Sequence, residues 1–144
     1  MIDQRLLRTD LAGVKAALAR RGRPSLLDDV DEASGLDAQL LDITAQRDRV
    51  RAQVNALSKE VGALRRNGDI PAAEARQDES RELGSREPEL AAQHDDVSAA
   101  LRELLLGIPN LPHPDAPDGI DDADNPIVTG PVGLSDDIAD HLRV

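Results

Sequence analysis

The sequence contains no phenylalanine, tyrosine, tryptophan or cysteine, and its one methionine is Met1. Aromatic rings supply the largest single burial terms in ordinary cores. Without them Leu, Val, Ile and Ala must do all the packing, which suits a helix seam better than a sandwich or a barrel. The missing cysteines exclude disulfides and thiolate metal sites. The missing rings also exclude base stacking, so any nucleic acid bound here is read through its backbone and shape. No apolar run is long enough to span a bilayer, and residues 1–25 lack the apolar stretch of a secretory signal. The expectation is a soluble, cytoplasmic protein, with room in 144 residues for one domain.

A net charge of −11 argues mildly against a nucleic-acid partner, but the acid is unevenly spread. Residues 107–144 carry one Lys/Arg against eight Asp/Glu, whereas residues 40–82 carry eight of each. Within residues 43–68, Arg47, Arg49, Arg51, Lys59, Arg65 and Arg66 face only Asp48 and Glu60. Such a local basic stripe can attract a phosphate backbone even on an acidic chain.

Thr9 and Asp10 offer N-caps for a first helix over Leu11–Arg21, with Leu11, Val14 and Leu18 on one face. Gly22 stops it, and Arg20 and Arg21 suit its C-terminal dipole. Residues 23–35, with Pro24 and the acids Asp28, Asp29, Asp31 and Glu32, read as a polar connection. The strongest pattern follows. Leu36, Leu40, Ile43, Arg47, Val50, Val54, Leu57, Val61 and Leu64 alternate steps of four and three, an a/d heptad interrupted only by Arg47. Arg47 at a seam position reads as a register device, a displaced nucleic-acid contact or, preferred here, a side chain whose stem snorkels to solvent.

Arg65-Arg66-Asn67-Gly68 should end that helix, and Asp69 with Pro71 should start the next. The next seam is poorer: Ala73, Arg76, Ser80, Leu83, Glu87, Leu90, His94, Val97, Leu101 and Leu104. Pro88, with Gly84 nearby, should kink or interrupt this helix. Two striped helices joined by a tight turn predict an antiparallel coiled-coil hairpin, roughly 45 Å long at 1.5 Å per residue. The fold class is therefore all-α: a short N-terminal helix, a hairpin over 36–106 turning near 66–70, and an irregular linker over 107–144. Ile127-Val128 reads as a short strand, and Ser135–Arg143 as the start of a last helical turn or a frayed end.

Three blocks in this order resemble the N-terminal tRNA-binding domain of bacterial-type seryl-tRNA synthetases. Met1-Ile2-Asp3, Leu6-Leu7-Arg8, Val14 and Ala17-Leu18-Ala19-Arg20-Arg21-Gly22 look like that family's opening. Arg51 with Asn55-Ala56-Leu57-Ser58-Lys59-Glu60-Val61-Gly62 looks like its mid-arm block. Leu104-Leu105-Leu106-Gly107-Ile108-Pro109-Asn110-Leu111-Pro112, then Pro117-Asp118-Gly119 and Asp124-Asn125, looks like the junction into a catalytic domain. Val54 departs from the basic residue the family carries before the mid-arm Asn.

The resemblance implies a hairpin that grips the long variable arm and elbow of serine tRNA, usually across a homodimer. Its tRNA-binding candidates are Arg49, Arg51, Asn55, Ser58, Lys59, Arg65 and Arg66; the plainer alternative is a solvated helix face. The family is an ATP-dependent serine–tRNA ligase. These residues contain no Arg-x-Glu set in a strand context and no Gly-x-Gly-x-Gly-x-Arg segment, so no catalytic residue is assigned. ATP and Mg²⁺ are expected to belong to a catalytic domain supplied in cis or in trans.

No metal site is expected either. His94, His113 and His141 lack partners at ligand spacing. The run Asp118–Asp124 lacks the alternating order and closing Glu of a calcium loop. A second reading stays open at this point: a divergent coiled-coil interaction protein without tRNA binding, motivated by Val54, the poorer second seam and the acidic balance.

Overall fold

A computed structural model describes residues 2–124; the expected strand at Ile127-Val128, the turn at Ser135–Arg143, Asn125 and His141 lie outside them. The described residues form helices α1 (Leu6–Thr9), α2 (Leu11–Ala19), α3 (Ser25–Arg66), α4 (Ile70–Gly84) and α5 (Glu87–Gly107), with a 3₁₀ turn at Asp122–Asp124. No strand occurs among them. No helix among them is long and apolar enough to cross a membrane. The all-α hairpin is the observed architecture: α3 runs out, and α4 followed by α5 returns along it.

Local chemistry explains the ends. Gly13 N–H donates to the Asp10 carboxylate at 3.0 Å, capping α2, and Gly22 takes φ +63° where the chain turns towards α3. Gly68, at φ +81°, closes the far end of α3, and Asp69 accepts from Ala72 N–H at 3.2 Å to open α4. Pro88 sits in the first turn of α5, so the return limb is interrupted at Ser85-Arg86 as the proline requires.

The connection expected over 23–35 is corrected by the structure: α3 begins at Ser25 and is 42 residues long, about 63 Å at 1.5 Å per residue. Leu26, Val30 and Ala33 are buried at helical spacing and extend the seam towards the N-terminus. The acids that suggested a loop occupy the outer side, where Lys15 Nζ meets Asp31 Oδ2 at 2.6 Å. Pro24 precedes the helix, where its missing N–H costs nothing.

Two apolar regions follow from this geometry. At the head, Ile2 and Leu7, then Val14 and Leu18 of α2, close over Leu26, Val30 and Ala33 of α3 and Leu101, Leu105 and Ile108. Along the arm the core thins to one layer, with Ile43, Val50 and Leu90 buried beside Val54 and Val97. Beyond them only Leu57 and Ala73 are buried.

The head also encloses a carboxylate. Asp37 is 2% exposed. Arg8 donates to it through Nε at 2.5 Å and Nη2 at 2.6 Å, and Gln4 Nε2 donates at 2.5 Å. The bonds from Arg8, helped by Gln4, hold its carboxyl below the usual range although burial pushes the other way. A depressed folded-state pKa stabilises at neutral pH, and that stability is lost as pH falls below the ordinary Asp value of about 4. Asp37→Asn should therefore cost about 2 kcal/mol at pH 7, near the low end for charged bonds because half-exposed Arg8 can turn to water. The gap between urea titrations of the two proteins should shrink as pH falls below about 4. A gap independent of pH would mean that the ionised carboxylate contributes nothing.

Residues 108–120 do not swing free. Ile108 is buried in the head. Arg20 donates to the carbonyls of His113 at 3.2 Å, Pro114 at 3.3 Å and Ala116, and its Nε meets Asp118 at 2.5 Å. Gly119 N–H returns a bond to Arg20 O at 3.0 Å, and Arg21 Nη2 reaches Asn110 O at 2.7 Å. A side chain at Gly22 would collide with Ile120, its Cβ lying 2.7 Å from Ile120 Cγ1. The segment is a strap docked on the end of α2.

Candidate nucleic-acid interface

All seven sequence candidates lie on α3 and all are exposed. At about 100° per residue, Asn55, Ser58 and Arg65 fall within about 40° of Arg51 on either side, with Lys59 and Arg66 at the margin. These six form one flank of the arm, beside the seam. Arg49 is not with them. It projects about 160° away from Arg51, where its Nε donates to Ala45 O at 3.2 Å and its Nη2 lies 3.9 Å from Asp42. Asp48 stands one turn headward on the Arg51 side.

The six differ in how firmly they are held. Lys59 and Arg66 make no ion pair or side-chain hydrogen bond among the described residues. Arg65 Nη2 donates to Gln77 Oε1 of α4 at 2.7 Å, and Ser58 Oγ donates back to Val54 O at 2.8 Å. Gly62 leaves a gap in the side chains between Ser58 and the Arg65–Arg66 pair. A helix-interior glycine costs about 1 kcal/mol relative to alanine.

Arg51 is tied across the hairpin. Its Nη2 donates to Glu87 Oε1 at 2.7 Å, and the same oxygen accepts Arg47 Nε at 3.2 Å and Nη2 at 2.9 Å. Hydrogen bonds from Arg47 first and Arg51 second hold the Glu87 carboxyl below the usual range. Arg47 is thus paired within the seam, not snorkelled to open solvent, because Glu87 occupies the matching seam position of α5. Sequence reasoning named both seam residues but not their pairing. Opposite charges at interrupted seam positions were the available signal.

Other clusters offer less. His94 is half-buried, with Nδ1 3.3 Å from Asp95. In the acidic run, Asp124 accepts Ile120 N–H at 2.7 Å and Asp121 accepts Ala123 N–H at 2.9 Å, so these carboxylates cap backbone. No group of three or more metal-ligating side chains forms among the described residues.

A head of short helices on the root of an antiparallel coiled coil, basic along one flank, defines a helical-arm domain. The family description "Seryl-tRNA synthetase N-terminal domain" matches residues 1–112, and the chain belongs to that family. A serine–tRNA ligase of Burkholderia multivorans (strain ATCC 17616 / 249) is 37% identical over 147 residues, covering 100% of this chain and 33% of the relative. The ligase of Burkholderia mallei (strain SAVP1) is 35% identical over the same length. The chain therefore spans 33% of the length of these curated relatives. The crystal structure of seryl-tRNA synthetase from Pyrococcus horikoshii complexed with ATP superposes with a TM-score of 0.77 at 29% identity, covering 86% of this chain and 27% of that one.

Proposed function

We propose that the hairpin is the tRNA-binding arm of a cytoplasmic serine–tRNA ligase, recognising the long variable arm and elbow of serine tRNA. Membership of the family supports the reading, and the observation that carries it is the cationic flank. Arg51, Lys59, Arg65 and Arg66 lie along one side of α3 with Asn55 and Ser58 between them. Guanidinium and ammonium groups would meet phosphates, and the amide and hydroxyl would meet phosphate or ribose. No Phe, Tyr or Trp is available to stack a base, so discrimination would come from the shape of a protruding stem. ATP, Mg²⁺, serine transfer and a homodimeric partner belong to the ligase activity that goes with this arm.

A salt titration tests the reading. The chain should retain serine tRNA over a tRNA with a short variable arm, and affinity should fall steeply between 50 and 200 mM salt, as phosphate contacts require. Equal retention of both tRNAs, or retention indifferent to salt, would leave the hairpin as a coiled-coil interaction module.

A further inference from the structure

Glu87 stands where the return limb is interrupted, and it serves two arginines with one oxygen. The three side chains are not equally committed. Arg47 is 21% exposed and Glu87 29%, whereas Arg51 is 56% exposed. Arg47 gives Glu87 two bonds and Arg51 gives one. If Arg51 leaves, Glu87 remains paired and no half-buried charge is orphaned. If Arg47 left, a guanidinium within the seam would lose its partner.

We propose, building on the tRNA-binding reading, that Arg51 exchanges the Glu87 carboxylate for an RNA phosphate while Arg47 retains Glu87. Glu87 is then a positioning residue that sets how readily this flank accepts a polyanion. Exposed ion pairs contribute little, so the exchange is easy, and a phosphate offers the guanidinium a two-pronged acceptor that the shared oxygen does not. Asn55, one turn on from Arg51 on the same face, can hold the same phosphate. The pair also disfavours weak anions, which must displace a carboxylate already in place. Contact with phosphate at Arg51 is thereby reserved for a ligand anchored at neighbouring positions.

The test is a cycle of Glu87→Gln, Arg51→Ala and the double variant, each in the full chain, titrated with serine tRNA at several salt concentrations. Gln keeps the size of Glu and an acceptor oxygen for Arg47, and melting curves verify the fold. E87Q should bind about three- to tenfold more tightly at low salt, because Arg51 no longer has to leave a carboxylate to meet a phosphate. That gain should vanish when Arg51 is Ala. Arg51→Ala alone should lower the salt slope by roughly 0.7–0.9.

An equal gain without Arg51 would make Glu87 a bulk charge and overturn the exchange, as would no gain at all. If E87Q melts early, the slope of Arg51→Ala decides, an unchanged slope meaning that Arg51 never meets a phosphate. An unaltered chain that ignores tRNA at every salt overturns the tRNA reading and the exchange together. Binding without coupling between the two positions overturns the exchange alone.

Discussion

Leu18→Ala should lower the unfolding free energy by about 3 kcal/mol, within the range for fully buried leucines. Leu18 is 0% exposed and belongs to the cluster joining α2 to both limbs of the hairpin. Three elements converge on it, so a cavity there cannot collapse without moving the root of the arm. Leu57→Ala, in the single-layer part of the arm, should cost about half as much, because solvent and neighbouring side chains can close the gap. Urea denaturation followed by circular dichroism measures both. Equal losses would mean that the head is no better packed than the arm.

The second large effect concerns binding. Changing Lys59, Arg65 and Arg66 together to Ala removes three cations, two of which make no side-chain contact among the described residues. Melting should hardly change, since exposed charges of this kind add little stability. The slope of log affinity against log salt should fall by roughly 2, and tRNA affinity at low salt by at least about tenfold. Arg49→Ala is the internal control. It points to the opposite flank and should leave both quantities nearly unchanged. A triple variant that binds like the unaltered chain, or an Arg49 variant that binds much worse, would move the interface off this flank.

How much of this was legible beforehand depended on whether a signal was periodic. The seam from Leu36 to Leu64 was visible because apolar side chains must recur every three or four residues to meet a partner helix. The interruption at Pro88 was visible because a proline lacks the donor that a helix interior needs. The start of α3 was hidden: Asp28, Asp29, Asp31 and Glu32 outnumber Leu26, Val30 and Ala33, and composition outweighed spacing.

The exclusion of Arg49 from the flank needed only the helical angle, since it follows from counting residues around α3. The Arg8–Asp37 and Arg20–Ala116 contacts were illegible for a different reason. They join residues 29 and 96 apart in sequence, and no local rule relates such positions. A buried aspartate next to an apolar seam looks like a surface aspartate until its partner is located.

The strap held by Arg20 gives the arm a mechanical meaning. A hairpin about 63 Å long magnifies any play at its root, so a tilt of about one degree there sweeps the Asn67-Gly68 tip through about 1 Å. The tip is carried by α3, which runs unbroken from the head, and the strap packs on the α2 that closes over its root. Tied to the end of α2 at several carbonyls, the strap braces the head in which α3 is rooted. The arm then behaves as a stiff boom on a braced mount, and its aim is decided tens of ångströms from the residues that touch what it reaches.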